Sequence, residues 1–198
     1  RYRAGRPIGL SEGYIALGLF EDEEDIKMSP TQEFGTVVLP GDIKYKDLNG
    51  DGKVDGSDVT YIGQPTNMPE ILYGIGVSSQ YKNWDASIFF QGVARTSIQM
   101  RGMHPFGGNR NTVLKYIADD YWSTSNPNPQ AKYPRLDLTV NNNNSQTSTF
   151  WQRDGSFIRL KNIEFGYTYK FARIYITGQN LLTFSKFKHW DPELGSGS

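Results

Sequence analysis

Cysteine is absent from these 198 residues, so no disulfide frames the fold and no thiolate holds a metal. Histidine is nearly absent as well. His104 and His189 are the only two, neither has a ligand at metal-binding spacing, and both read as surface or aromatic-packed loop residues. Charge of one sign is missing: 21 basic side chains balance 21 acidic ones, which leaves no basic excess for the phosphates of a nucleic acid. No run of about 18 apolar residues occurs, which excludes a transmembrane helix. A membrane β-barrel stays open, because its strands alternate apolar and polar residues and average to unremarkable hydropathy. No signal peptide opens the chain, and Arg1-Tyr2-Arg3 reads as the interior of a longer protein.

Catalytic constellations are missing too, and the reading is that the chain is not an enzyme. The run Glu21-Asp22-Glu23-Glu24-Asp25 reads as a solvated charged loop rather than a metal cluster. Gly107-Gly108-Asn109 is a turn signal without the strand and helix that a phosphate loop requires.

What is present begins with residues 47–58. Asp47, Asn49, Asp51, Asp55 and Asp58 fall at positions 1, 3, 5, 9 and 12 of a twelve-residue loop, with Gly52 at position 6. That is the oxygen spacing of an EF-hand calcium loop, in which Lys53 supplies only its carbonyl. A hard cation wants six to eight oxygens, and a short loop wraps one only if the backbone turns sharply at a glycine. Position 12 is Asp58 rather than glutamate, which shortens the closing grip. The competing reading is a polar turn holding no ion. The flanks, Gly35 to Pro40 and Val59 to Gly63, are β-branched or aromatic and predict extended chain rather than the helices of an EF-hand. A structural calcium clip in a β-rich protein is therefore expected, not a sensor.

Two hairpins follow. In residues 73–91, Tyr73, Ile75, Val77 and Tyr81 alternate with Gly74, Gly76, Ser78 and Gln80. After a Lys82-Asn83 turn, Trp84, Ala86, Ile88 and Phe90 alternate with Asp85, Ser87 and Gln91. In residues 157–180, Ile163, Phe165, Tyr167 and Tyr169 alternate with Glu164, Gly166 and Thr168, and the chain turns at 170–172. Leu160 is out of phase with Ile163, which predicts a bulge near Lys161-Asn162. Strands of roughly nine residues suit either a soluble sandwich, with the apolar face against a second sheet, or a tilted bilayer crossing. Between the hairpins lies a long loop, residues 95–156, rich in Asn, Pro and Ser, whose single helical-looking stretch is 112–122. Short turns at one end and long loops at the other favour the barrel. Exposed aromatics in the loop, Tyr121, Trp122, Trp151 and Phe106, are candidates for stacking on a ligand or partner, although packing within the loop is their commoner use. The run Asn141 to Thr147 reads as dispensable, because so polar a stretch buries little.

The segments Gly41-Asp42-Ile43-Lys44-Tyr45-Lys46-Asp47-Leu48-Asn49-Gly50-Asp51-Gly52, Asp119-Asp120-Tyr121-Trp122, Asn126-Pro127, Ala131 to Leu136, Arg153 to Ile163, Gly178 to Phe184 and Asp191-Pro192-Glu193 occur in this order, after Gly5-Arg6-Pro7-Ile8-Gly9. Together they resemble SusC/RagA-type TonB-dependent outer-membrane transporters of Bacteroidetes. The resemblance covers nearly the whole chain. It implies an all-β fold, the C-terminal part of a transmembrane antiparallel β-barrel with long extracellular loops, set in the outer membrane and contacting its lipid. It further implies a nutrient importer of oligosaccharides or peptides, energised by TonB and lidded by a SusD-like surface lipoprotein. The plug, the TonB box and the closing strand would then lie outside this segment, and the turn at 170–172 is shorter than is usual there. The rival reading is a secreted calcium-dependent carbohydrate-binding β-sandwich.

Overall fold

Alternation of apolar and polar side chains is strongest in four segments, and these form the longest strands. The computed structural model describes residues 9–64, 68–100 and 113–194; His104, Phe106, residues 107–109 and the first four residues of the Gly5 to Gly9 motif lie outside them. In chain order the elements are β1 (Ser11–Gly13), β2 (Ala16–Leu19), α1 (Glu23–Met28), β3 (Thr31–Gln32), β4 (Ile43–Tyr45), β5 (Lys53–Val54), β6 (Thr60–Gly63), β7 (Ile71–Tyr81) and β8 (Trp84–Ala94). They continue as β9 (Ser97–Gln99), α2 (Lys115–Ala118), β10 (Gln152–Asp154), β11 (Phe157–Tyr169) and β12 (Ala172–Ser185). The chain gathers into two units. Of the described residues, 64, 68–98 and 153–194 form one, and 10–63, 99–100 and 113–152 form the other.

The first unit is an antiparallel sheet in the order β7-β8-β11-β12. Both hairpins close on two residues: Tyr81 pairs with Trp84, and Tyr169 with Ala172. The second turn is thus Lys170-Phe171, with Ala172 already in the strand. Lys82 and Lys170 hold φ of 54° and 53°, and each ammonium sits over the preceding tyrosine ring, at 5.3 and 5.4 Å. The register breaks between Leu160 and Asn162 on both sides of β11, where the sequence places a bulge. Opposite it on β12, Asn180 adopts φ of 54°. That left-handed residue absorbs the extra position, so β12 runs on through Leu181 to Ser185 rather than ending near Gln179.

Cross-strand pairing puts directly opposed residues on one face. The rows Val77–Ile88–Ile163 and Ser79–Ala86–Phe165–Ile176 make one face apolar. Trp84 stacks on Phe165 at 5.1 Å and leans on Tyr167 at 4.5 Å near the turns. The other face carries Asp85, Glu164 and Arg173. Arg173 Nε donates to Asp85 at 3.1 Å and its Nη2 to Glu164 at 2.6 Å. Gly166 leaves room for this pair, because an added Cβ would meet the Asp85 carboxylate. Ile75, Val77, Ile174 and Ile176 are 62%, 63%, 73% and 76% exposed, and among the described residues no second sheet covers them as a sandwich would.

In the second unit β1 pairs with β6, β2 with β4, and β3 runs parallel to β5. The loop at 95–156 is therefore not a free excursion: residues 113–152 fold with residues 10–63 around Tyr14, Phe20, Ile43, Tyr45, Val54, Ile117, Tyr133 and Trp151. Two local expectations change. The acidic run 21–25 opens helix α1, with Asp22 as N-cap accepting from Asp25 N–H at 2.8 Å and Glu23, Glu24 and Asp25 in the first turn. Acids there complement the helix dipole. The helix expected over 112–122 shrinks to four residues. Leu114 offers no capping oxygen, and Asp119 and Asp120 oppose the dipole at the far end.

The two sheet faces should respond differently to the same charge. Refolded into lipid, Ile88→Arg is expected to cost about 2–4 kcal/mol near the bilayer midplane, and Gln91→Arg far less. Equal costs would contradict the assignment of faces.

Candidate functional site

The loop at 47–58 is organised by its own amides. Asp47 accepts from Gly50 N–H at 2.6 Å and Gly52 N–H at 2.9 Å, Asn49 from Asp51 N–H at 2.9 Å, and Asp51 from Lys53 N–H at 2.9 Å. Short side-chain oxygens folding back onto nearby amides fix such turns. Gly50 and Gly52 supply the φ of 78° and 83° that the path needs. Asp58 is buried, and its two oxygens accept from Leu48 N–H at 2.7 Å and Asp55 N–H at 2.9 Å. The Ser57 amide, donating to Asp55 at 2.7 Å, holds that carboxyl below its ordinary range.

Pairing with β3 orients the main chain of the loop. Thr31 N–H donates to the Gly52 carbonyl at 3.1 Å and Glu33 N–H to the Val54 carbonyl at 2.9 Å. Carbonyls alternate along a strand, so the Lys53 carbonyl points away from β3. Lys53 Nζ pairs with Glu33 at 2.7 Å. Among the described residues no three His, Cys, Asp or Glu side chains converge at metal-binding geometry. Asp58 faces amides, and Asn49 Nδ2 donates to Asp51 at 3.0 Å. The donor set itself is entirely oxygen and carries four carboxylates, which is the chemistry a hard cation takes.

Beside the loop lies a buried polar cluster. Asp42 is fully buried. Its Oδ1 accepts from Asn144 Nδ2 at 2.8 Å and Asn141 Nδ2 at 3.0 Å, with Arg135 Nε 2.8 Å away, and its Oδ2 accepts from Leu39 N–H at 2.8 Å. A carboxylate only accepts, so both asparagines must present their amino groups to it. Their oxygens then serve the backbone: Asn144 Oδ1 accepts from Ile43 N–H at 2.9 Å, and Asn141 Oδ1 from Asn144 N–H at 3.0 Å. Asn143 Nδ2 donates to the Ile43 carbonyl at 2.8 Å, and the Tyr45 hydroxyl donates to the Asn143 carbonyl at 2.8 Å. Burial drives the Tyr45 pKa far up. Burial also raises that of Tyr14, with the charges of Asp55 and Asp58 adding to it. Asn141 to Thr147 is therefore not dispensable, since Asn141, Asn143 and Asn144 are wholly buried.

The candidate aromatics separate. Trp151 is 1% exposed and its indole N–H donates to the Asn144 carbonyl at 2.8 Å, so its work is internal. Trp122 is 6% exposed and lies flat on Gly41, whose φ of 86° and missing side chain leave the space; an added Cβ would overlap the indole. Trp122 Nε1 is buried with no hydrogen-bond partner among the described residues. Tyr121 is half-buried and lines a groove of about 530 Å³ with Trp122, Thr124, Leu39, Glu23 and Arg135. Of the three aromatics, Tyr121 and the edge of Trp122 reach this groove. Sequence reasoning missed Asp42 and Arg135, because no local pattern marks a long-range pair.

Two features now stand together: a sheet with one apolar face exposed along its length, and a separately folded unit carrying the loop and the groove. No protein-family model matches the chain. It is 30% identical over 204 residues to TonB-dependent receptor P26 of Formosa agariphila, covering 98% of this chain and 20% of that protein. It is 29% identical over 164 residues to TonB-dependent receptor SusC of Bacteroides thetaiotaomicron, covering 77% of this chain and 15% of that one. The chain belongs to the TonB-dependent receptor family. Among solved structures, the RagAB peptide transporter matches with a TM-score of 0.66 over 94% of this chain and 20% of that one, at 18% identity. A second, the RagAB peptide importer in its open-open state, gives 0.60 over 98% of this chain and 22% of that one. The chain thus spans about a fifth of the length of the receptor P26. Strands β7, β8, β11 and β12 are a stretch of receptor barrel wall in the outer membrane.

The Trp122 site yields a graded expectation. Trp122→Phe removes an unpaired buried N–H and should be close to neutral, while Trp122→Ala should cost about 3–5 kcal/mol. Thermal melting of the full receptor with near-ultraviolet detection checks this. A large cost for phenylalanine would show that the indole nitrogen has a partner.

Proposed function

We propose that this chain forms wall and outer face of a TonB-dependent importer that works with a SusD-like surface lipoprotein to take up oligosaccharides or peptides. The observation that carries the reading is the division of the chain: an apolar-faced sheet closed by two-residue turns at one end, with the long connection from β8 to β11 leaving from the other. Short turns of outer-membrane barrels face the periplasm and long insertions face outside, so the folded unit meets cargo and lid. TonB acts through the rest of the receptor. The peptide transport named for the RagAB structures supports import as the activity and a peptide as one class of cargo.

Within this reading the loop at 47–58 binds one structural calcium through Asp47, Asn49, Asp51, the Lys53 carbonyl, Asp55 and Asp58, at about 2.3–2.6 Å. The ion would neutralise four carboxylates crowded onto twelve residues. Calorimetry on the full receptor should show one calcium bound per chain, lost in Asp47→Ala with Asp51→Ala while the barrel stays folded. Absence of calcium uptake by the intact receptor would remove the clip.

The groove at Tyr121 is the proposed contact for cargo or lid. Thr124→Trp fills it from a position that makes no hydrogen bond to the Asp42 cluster. Uptake of cargo, or co-purification of the lipoprotein, should fall several-fold while the receptor still reaches the outer membrane. If both are unchanged, the groove has no part in import.

A further inference from the structure

The apolar face of the sheet carries a second feature, at the end opposite the short turns. Tyr73, Gly92, Ile158 and Phe184 form one cross-strand row. Gly92 gives no side chain to this row, so the Tyr73 ring lies across it and reaches the Phe157 carbonyl at 3.4 Å. Beyond the ring opens a slot of about 480 Å³, floored by Tyr73, Ile158 and Phe184 and rimmed by Lys186 and Lys188. The two lysines come together because Phe187, between them, is buried against Trp190 at 4.4 Å. Their charges are barely used. Lys186 stands 4.0 Å from Asp154 and is 89% exposed, and Lys188 has no ion pair among the described residues.

We propose that this slot binds a phosphorylated lipid of the outer leaflet, with an acyl chain on Phe184, Ile158 and Tyr73 and a phosphate between Lys186 and Lys188. The inference rests on the orientation given above, with the short turns in the periplasm. A soluble anion would need no apolar floor, and a neutral lipid would need no paired ammonium groups. A chain lying on the membrane face with two cations at its outer edge matches a phosphate-bearing amphiphile in both halves. Such a lipid would brace the junction of β11 and β12 where the strands leave the bilayer.

The test uses the full-length receptor, freed of any thiol outside this cysteine-free segment and extracted from its native outer membrane in mild detergent. Native mass spectrometry should find phosphorylated glycolipid retained on the wild type. Lys186→Glu with Lys188→Glu should lower retention on the order of tenfold, and Phe184→Asp, which keeps both lysines, should lower it as well. Lys82→Glu with Lys170→Glu, at the opposite end, should leave it unchanged, and heat-modifiable migration confirms that each variant is folded. Wild type without lipid, or either slot variant retaining it fully, overturns the proposal. Whole-cell labelling with an impermeant maleimide separates the two readings. Lys188→Cys should label and Phe171→Cys should not. The reverse pattern overturns the orientation and this proposal together, whereas the expected pattern with no bound lipid overturns this proposal alone.

Discussion

One carboxylate holds the unit of residues 10–63 and 113–152 together. Asp42 sits where Asn141, Asn144, Arg135 and the Leu39 amide converge, and three of those partners lie more than ninety residues away in sequence. A buried carboxylate is tolerable only when its oxygens are saturated. Satisfying Asp42 therefore forces residues 135–144 into register against residues 39–45. Asn144 and Asn143 hold strand β4 through the Ile43 amide and carbonyl, and Asn144 positions Trp151 by its carbonyl. A long polar insertion, which on its own would bury too little to order itself, becomes half of a folded unit.

The sheet obeys a different constraint. With a period of two, every side chain on β7, β8, β11 and β12 is committed to a face by the register of its pairs. A slip would carry Asp85 and Arg173 into lipid. The bulge at Lys161 and the left-handed Asn180 adjust the phase at the end away from the two-residue turns, so that Ile158 and Phe184 still share the apolar face with Ile163 and Ile176. Arg159, paired with Gln91 on the polar face, is bound by Asp191 and Glu193, the latter at 2.7 Å. The stretches that carry the family resemblance thus coincide with junctions: Gly41-Asp42, Tyr121-Trp122, Arg135, Arg159 and Asn180 each join segments that alternation alone does not connect.

This explains what could be read in the sequence. Hairpins, faces, turns and the bulge were legible because each depends on neighbours within a few residues. The calcium-type spacing was visible for the same reason, and the oxygens of that loop accept from its own amides. Helix α1 was present in the signal, in Asp22 followed by three acids, and was overlooked because a run of charge reads as solvated chain. The burial of Asn141, Asn143 and Asn144 had no local mark at all. Composition assigns such a run to solvent, and only the distant Asp42 and the Ile43 backbone reverse that assignment. The second hairpin was expected over 157–180, whereas the left-handed Asn180 accommodates one extra residue and β12 continues to Ser185.

Hydrogen exchange on the full-length receptor tests the dependence on this buried cluster most directly. Peptides spanning 39–45 and 135–151 should be protected to a similar degree in the wild type. Asn144→Ala, which removes the acceptor of Ile43 N–H and one donor to Asp42, should deprotect both segments together while β8 and β11 keep their protection. Fast exchange of 141–147 in the wild type, or loss of protection confined to the substituted segment, would contradict the account.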